Sequence, residues 1–253
     1  MVDSLAAVVL GAGAGARLRP LTGLLPKVLC PVAGEALVDG NLARVGTVVG
    51  DGPAHVAVNA HHLADRLVAH LDGRAHVSVE PGEALGTAGG LARLRPWLDG
   101  RPALVVNGDT WSTVDLRPLV GDWDGNRVRV LVADPVAELR PGVLVLGSLL
   151  PAGAIAGLPL RPAGLVESCW APEREAGRLE VLAVDGPCVP CDRPRDYLAA
   201  NLAASGGESV VGAGARVDGT LVRSVVWPGG VVWPGEVLVD SIRAGEHLTV
   251  AVR

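Results

Sequence analysis

Six residues carry types and spacings that suit phosphate chemistry. From Val8 to Val32 the chain reads VVLGAGAGARLRPLTGLLPKVLCPV, an apolar run followed by Gly11, Gly13 and Gly15, then Arg17, then Lys27 among prolines. Glycine lets a backbone approach a ligand closely and take left-handed dihedrals. Main-chain N–H groups and fixed cations can then neutralise phosphate oxygens. Lys27 is the only lysine of the chain, arginine supplying every other side-chain cation. The sixth residue, Asp109, closes the segment VVNGD at the end of another Val-rich run. A carboxylate there either holds a divalent cation or serves turn chemistry, which Asn-Gly-Asp also favours. Mg²⁺ needs only one or two carboxylates beside waters and substrate phosphates.

Three phosphate-binding patterns compete for the first segment. A P-loop needs Gly-Lys-Ser/Thr, and that tripeptide is absent. The dinucleotide fingerprint GxGxxG/A matches at Gly11, Gly13 and Ala16, with Glu35 and Asp39 downstream where a ribose-binding acid belongs. That fingerprint must open a helix, however, and Pro20, Pro26 and Pro31 disfavour one over Arg19 to Val32. An extended, proline-punctuated loop that wraps a nucleoside triphosphate and sets Lys27 at depth fits better.

The elements that position these residues alternate. Strands are expected at Leu5–Leu10, Ala54–Asn59, Ala75–Val79, Ala103–Val106 and Arg127–Ala133. Helices are expected at Leu37–Val45, ending near Gly46, at His62–Leu71, and at Thr87–Leu94, stopped by Pro96. Strand–helix alternation with continuous Val-rich strands predicts a mostly parallel, doubly wound sheet covered on both faces. Ligands of such sheets bind beyond the carboxyl ends of the strands, where both the glycine loop and Asp109 fall.

The first segment resembles the signature of the sugar-1-phosphate nucleotidylyltransferases: Gly-x-Gly-x-Arg-Leu-x-Pro-Leu-Thr, then Pro-Lys, then Pro-Val. Three more blocks follow in the family's order: EPGEALGTAGGL (Glu80 to Leu91), VVNGD, and RPRDYLAANL (Arg193 to Leu202). The tail from Val210 to Val250 resembles the truncated hexapeptide-repeat tail of the mannose-1-phosphate guanylyltransferase branch. The resemblance implies a Rossmann-like nucleotidyltransferase domain over residues 1–205 and a short left-handed β-helix-like tail over 206–253. It implies Mg²⁺ as cofactor, with GTP and mannose 1-phosphate as leading substrates. UTP or dTTP with another sugar phosphate is the alternative, as is a regulatory homologue that binds nucleotide sugar without turnover.

Roles carry over residue by residue. Arg17 resembles the arginine that holds the triphosphate, and Lys27 the lysine that bridges attacking phosphate and α-phosphate. Leu10, Gly11, Ala12, Gly13, Ala14, Gly15 and Ala16 form the nucleotide loop. Glu80, Leu85, Gly86 and Thr87 lie where the family reads the base and the sugar, with Ala88 placed at the nucleotide; a carboxylate at Glu80 suits the N1–H and 2-amino group of guanine, or is a surface acid beside Glu83. Asn107 is placed at a sugar hydroxyl or the metal's water, and Glu167, in GLVESCW, at the sugar hydroxyls. Asn59, His61 and His62 are expected to cap the following helix.

One departure concerns the metal. Relatives carry a second metal-binding Asp in Asp-x-Gly-Thr-Pro, where this chain reads Pro190-Cys191-Asp192-Arg193-Pro194. Proline occupies the expected position, so either Asp192 reaches the metal beside Asp109 from a shifted loop or the second ligand is missing.

Composition bounds the remainder. Net charge of -5 leaves no basic stripe for nucleic acid. Apolar runs are too short to span a membrane, and the acidic start without a cleavage pattern predicts a cytoplasmic protein. Cys188 and Cys191 form a CxxC without a second ligand pair, so reduced, semi-buried thiols are expected. In the tail, valines recur at six-residue spacing among glycines, the mark of about two β-helix coils. Such a stack needs a covering surface: it packs on the catalytic part or pairs subunits as a homo-oligomer, with Trp227 and Trp233 expected on one shared face.

Overall fold

A computed structural model describes residues 5–252. Seven strands form the central sheet: β1 (Ala6–Leu10), β2 (Val56–Ala60), β3 (His76–Val79), β4 (Ala103–Asn107), β6 (Val128–Ala133), β7 (Val145–Leu150) and β8 (Leu179–Val184). Their order is β8-β6-β7-β4-β1-β2-β3, with only β7 antiparallel to its neighbours. The order reverses at β1, which lies between β2 and β4, and that reversal opens a crevice at the strands' carboxyl ends.

The apolar run of β1 reflects burial on both faces. Ala7 and Val9 pack with Val58, Leu104 and Val106 on one side; Ala6 and Val8 pack with Ala57, Ala103 and Val105 on the other. Helices α1 (Leu37–Val49) and α2 (Ala64–Leu71) cover the first face through Val38, Val45, Leu67 and Leu71, and α3 (Gly86–Arg93) covers the second through Ala88 and Leu91. Each such Val or Leu contributes about 1.5–3 kcal/mol on burial.

Two helix ends differ from the sequence reading. α1 passes through Gly46 and stops at Gly50, whose φ of 84° is the one a glycine supplies cheaply. α3 stops at Arg93, and Pro96 sits in the first turn of a further short helical turn, Arg95–Leu98, where its missing N–H costs nothing. The prolines of the first segment do prevent a regular helix: Ala16–Leu18, Leu21–Gly23 and Lys27–Leu29 form three separate 3₁₀ turns.

Helix α4 (Pro194–Ala204) leads to the tail, whose short strands stack in parallel: Val210–Val211 on Val225–Val226 on Ser241–Ala244, Arg216–Val217 on Val231–Val232, and Thr220–Val222 on Val237–Val239. Three stacked faces make a β-helix-like coil, closed by an antiparallel return at Leu248–Ala251. The expectation that Trp227 and Trp233 share a face is corrected. In a three-sided coil six residues carry the chain to the next side. Trp227 is buried and donates its indole N–H to the Tyr197 hydroxyl at 2.9 Å, whereas Trp233 is part-exposed under the Arg216 guanidinium. Val225, Trp227, Ile242 and Ala244 share a core with Leu18, Leu21, Cys30, Tyr197 and Leu198, so the tail packs directly against the loop that carries Arg17 and Lys27. No helix among the described residues is long and apolar enough to cross a membrane.

Candidate active site

Leu10 stands opposite Asn59 on β2 and opposite Asn107 on β4, so two asparagines flank the end of β1 at the reversal. The glycine loop begins one residue later. Gly11 donates its N–H to Asn59 Oδ1 at 2.7 Å, and a Cβ there would stand 2.9 Å from the Asn59 carbonyl oxygen. Gly15 takes φ +60°, and a Cβ on it would lie 2.7 Å from Thr22 Cγ2. Gly13 differs from both: nothing lies within 4 Å of its Cβ position, so the protein leaves that space open.

Asn59 also donates to Glu80 Oε1 at 2.7 Å, and Glu80 Oε2 accepts the Leu85 N–H at 2.8 Å. A buried amide–carboxylate pair therefore ties the glycine loop to the start of α3. This corrects the expectation that Asn59 caps α2: the residue before that helix is Leu63, with no side-chain cap, while His61 and His62 bond the carbonyls of Gly82 and Thr22. Glu80 is only 3 % exposed and both its oxygens are engaged, so it faces inward and not toward an arriving base.

Lys27 and Asp109 meet at the crevice floor. Nζ lies 2.6 Å from Asp109 Oδ2 and 2.7 Å from Asp192 Oδ1, and Arg17 Nη2 lies 3.0 Å from the same Asp192 oxygen. Asp192 reaches this point through the strand pairing that precedes it. Strand β9 (Cys188–Pro190) pairs antiparallel with β5 (Thr110–Ser112), and the Cys191 N–H donates to the Asp109 carbonyl at 2.9 Å. That register ends the pairing at Pro190, as a residue without an N–H suits, and delivers Asp192 beside Asp109. Burial pulls the Lys27 pKa down, but the two carboxylates outweigh it and hold the ammonium above its ordinary value. Burial likewise pushes Asp192 up, and Lys27 with Arg17 outweigh it to hold that carboxyl below the usual range.

Asn41, a buried residue of α1 that sequence reading passed over, donates toward the carbonyls of Thr110 at 3.2 Å and Gly108 at 3.4 Å. It pins the turn on both sides of Asp109. Its signal was an uncharged polar residue on the apolar face of an amphipathic helix.

The cleft has two lobes sharing Leu10, Thr87 and Asn107. One, of about 170 Å³, is lined by Ala12, Gly13, Asn59, Gly86 and Asp109. The other, of about 280 Å³, is lined by Val105, Val143, Val145, Leu165, Val166 and Trp170, among others. Thr87 accepts the Leu165 N–H at 2.8 Å, and a Cβ at Gly86 would stand 2.6 Å from the Ala163 oxygen, so α3 and the 163–165 segment fit tightly. Ala88 is wholly buried behind the lobe, while Ala14 and Ala16 are exposed on the loop. Glu167 lines neither lobe: it is exposed, and its carboxylate accepts the Gly164 N–H at 2.6 Å, which with its own N–H holds it below the usual carboxyl range.

For Mg²⁺ the donor set fits. Asp109 and Asp192 flank the Lys27 ammonium through one oxygen each and remain 37 % and 30 % exposed, so each keeps a second oxygen for an ion, and two carboxylates suit Mg²⁺. No group of three or more His, Cys, Asp or Glu side chains gathers among the described residues to offer a fuller metal cage. All four cysteines are free.

A glycine loop, a buried lysine and paired carboxylates thus gather at the switch point of a mostly parallel α/β sheet. The chain belongs to the nucleotidyl transferase family, whose pattern it matches over residues 6–133. It is 40% identical over 115 residues to the N-acetylmuramate alpha-1-phosphate uridylyltransferase of Neisseria meningitidis serogroup B, covering 43% of this chain and 48% of that protein. It is 36% identical over 143 residues to the mannose-1-phosphate guanylyltransferase of Mycobacterium tuberculosis, covering 52% of this chain and 38% of that protein. The chain thus spans about half the length, or less, of these curated relatives. A solved structure from Thermus thermophilus, described as a mannose-1-phosphate geranyltransferase, superposes with a TM-score of 0.72 at 18% identity, over 98% of this chain and 95% of that one. At that identity the likeness concerns the fold, tail included.

Proposed function

We propose that this protein joins a nucleoside triphosphate to a sugar 1-phosphate, yielding a nucleotide sugar and pyrophosphate. The observation that carries this reading is the ammonium of Lys27 held between Asp109 and Asp192 beside the glycine loop. A sugar-phosphate oxygen attacks the α-phosphorus; a new P–O bond forms there, and the bond to the β-phosphate oxygen breaks. Both reactants are anions, so catalysis consists of aligning them and offsetting their repulsion.

Lys27 uses two of its three donors on carboxylates, leaving one for a phosphate oxygen. Arg17, with its side chain 63% exposed at the end of the loop, offers a donor fork for the leaving pyrophosphate. The open space at Gly13 suits close passage of a triphosphate over the main chain. Asn107, lining both lobes, would contact the sugar or its phosphate, and Asp109 and Asp192 would hold Mg²⁺. When bound, that ion supplies neutralising charge to the triphosphate. Residues 1–205 would carry this chemistry, with 206–253 bracing the loop and offering exposed Val222, Val237 and Val239 for subunit pairing.

The uridylyltransferase relative, at 40% identity, favours UTP as the nucleotide. GTP with mannose 1-phosphate is the second reading; the Mycobacterium tuberculosis relative supports it. Glu80 does not, because its buried and engaged carboxylate is closed to a guanine edge. Pyrophosphate release across UTP, GTP and dTTP, each with several sugar 1-phosphates, tests the proposal. Binding of nucleotide sugar with no pyrophosphate from any pair would instead identify a non-catalytic homologue.

A further inference from the structure

Asp109 is aimed by its main chain, and that main chain is tied on every side. The Gly108 N–H donates to the Leu10 carbonyl at 2.9 Å, and the Asp109 carbonyl accepts the Cys191 N–H at 2.9 Å. A Cβ on Gly108 would stand 2.7 Å from the same Leu10 oxygen, so the turn sits close against β1. The remaining two carbonyls, of Gly108 and Thr110, face Asn41 Nδ2 at 3.4 and 3.2 Å. Asn41 is buried on α1 and is the side chain that joins this helix to both flanks of Asp109.

An amide can be turned end for end, and in a buried slot the wrong end is costly. Arg44, three residues further along α1 and so on the same side of the helix, decides which end faces the turn. Its Nη1 donates to Asn41 Oδ1 at 3.0 Å, and its Nε donates to the Val114 carbonyl at 3.2 Å. A guanidinium has donors only. Reversed, the amide would set its NH₂ against Arg44 and its oxygen against the carbonyls of Leu37, Gly108 and Thr110, which Nδ2 now faces. Arg44 is itself held at a cost. Burial lowers its pKa, both its partners are neutral, and Nη2 is buried without a partner. A cation kept in that setting calls for a role.

We propose that Arg44 and Asn41 are positioning residues for Asp109: the guanidinium fixes the amide, and the amide fixes the turn that aims the carboxylate. Neither is placed to touch a reacting group. The relay bears on turnover through the proposed function, in which Asp109 holds Mg²⁺.

The test titrates Mg²⁺ against binding of UTP and of GTP without sugar phosphate, and follows amide hydrogen exchange in the metal-free protein. Asn41→Leu is nearly isosteric and removes the amide. It raises the Mg²⁺ midpoint about tenfold or more, as loss of a group that orients a metal ligand does. It also speeds exchange of the Cys191 N–H that is bonded to Asp109. Arg44→Met keeps the stem and removes the guanidinium, and it moves both readouts the same way. The double variant adds nothing to Asn41→Leu, because Arg44 acts through the amide. Val45→Ala, at a buried neighbour on α1, is the control: it lowers the melting temperature and leaves the Mg²⁺ midpoint at the wild-type value. Wild-type midpoints in Asn41→Leu and Arg44→Met overturn the inference, as do shifts that add in the double variant. Should Asn41→Leu fail to fold, a wild-type midpoint in Arg44→Met overturns it. Shifted midpoints with no pyrophosphate from any substrate pair keep the inference and sink the transferase reading; turnover with unshifted midpoints does the reverse.

Discussion

Lys27 and Asp109, 82 positions apart in the chain, meet at 2.6 Å between Nζ and Oδ2, and Asp192 closes on the same ammonium from another 83 positions on. Three distant segments thereby meet at one charge. Residue by residue, the centre is neither a bare metal site nor a bare phosphate site: Lys27 and Arg17 face two carboxylates, with one ammonium donor to spare.

Replacing Lys27 with Met should lower kcat/KM for pyrophosphate release by about 10²–10³-fold, the loss typical of one preorganised donor at a developing charge. It should also destabilise the fold, because Asp109 loses its ammonium partner and Asp192 is left with Arg17 alone. Removing one partner of a fully buried pair costs about 3–5 kcal/mol. The two Asp side chains are 37 % and 30 % exposed, so solvent screening reduces this to about 1–2 kcal/mol. Thermal melting should then fall by about 2–8 °C for a chain of this size. Lys27→Arg should not restore turnover, since a planar fork does not replace a compact ammonium in a buried slot.

Asp109→Asn and Asp192→Asn separate the two carboxylates. Each should raise the Mg²⁺ concentration needed for nucleotide binding by at least about tenfold, a loss seen even for groups one shell removed from a metal. Titrating Mg²⁺ against nucleotide binding measures it. A normal Mg²⁺ requirement in Asp192→Asn would show that the ion rests on Asp109 alone.

Stability should follow pH with two limbs. Asp192 is held below its unfolded value, so its contribution is present above about pH 4 and fades as pH falls through the folded value. Lys27 is held above its unfolded value, so its contribution is intact below about pH 10 and fades as pH rises through the folded value. Melting temperature against pH should show a plateau between these limits, and Asp192→Asn should flatten the acid limb.

The Asn59–Glu80 pair predicts a split between stability and chemistry. Glu80→Ala strands the Asn59 amide and the Leu85 N–H in a buried setting, at about 1–3 kcal/mol. Loosening both cradle segments should raise KM for the nucleotide more than it lowers kcat. Steady-state kinetics in nucleotide concentration checks this. A pure kcat defect would mean that Glu80 touches the reacting groups.

The tail is predicted to be indispensable to the loop it covers. Trp227→Ala removes a buried ring and the donor that orients Tyr197, at about 3–5 kcal/mol. Ending the chain after Ser205 should expose Tyr197 and Leu198 and yield a poorly soluble product. A well-folded, active fragment of residues 1–205 would show instead that the tail is dispensable.

Much of this was legible in the sequence because it rests on local rules. Val-rich runs buried on both faces marked the parallel strands. Prolines ruled out a helix between Arg19 and Val32, and a carboxylate at a strand end marked Asp109. What stayed hidden depended on pairings across the chain. Asp192 stands off the family position, and only the β5–β9 register, with Cys191 bonded to Asp109, brings it to Lys27. Asn59 and Glu80 are polar types that propensity places at caps and surfaces, yet a tertiary contact turns both inward. The divergence of Trp227 and Trp233 needed the three-sided geometry of the coil, which a count of six alone does not convey.

Under the proposed function, Lys27, Asp109 and Asp192 form one reaction centre for nucleotidyl transfer. Following the phosphorus resonances of a nucleoside triphosphate and a sugar 1-phosphate mixed with Mg²⁺ and the protein tests it directly. Pyrophosphate and nucleotide sugar should appear in equal amounts, with both signals lost in Lys27→Met and in Asp109→Asn. Unchanged spectra across every nucleotide and sugar phosphate, or full conversion by the Lys27→Met protein, would contradict it.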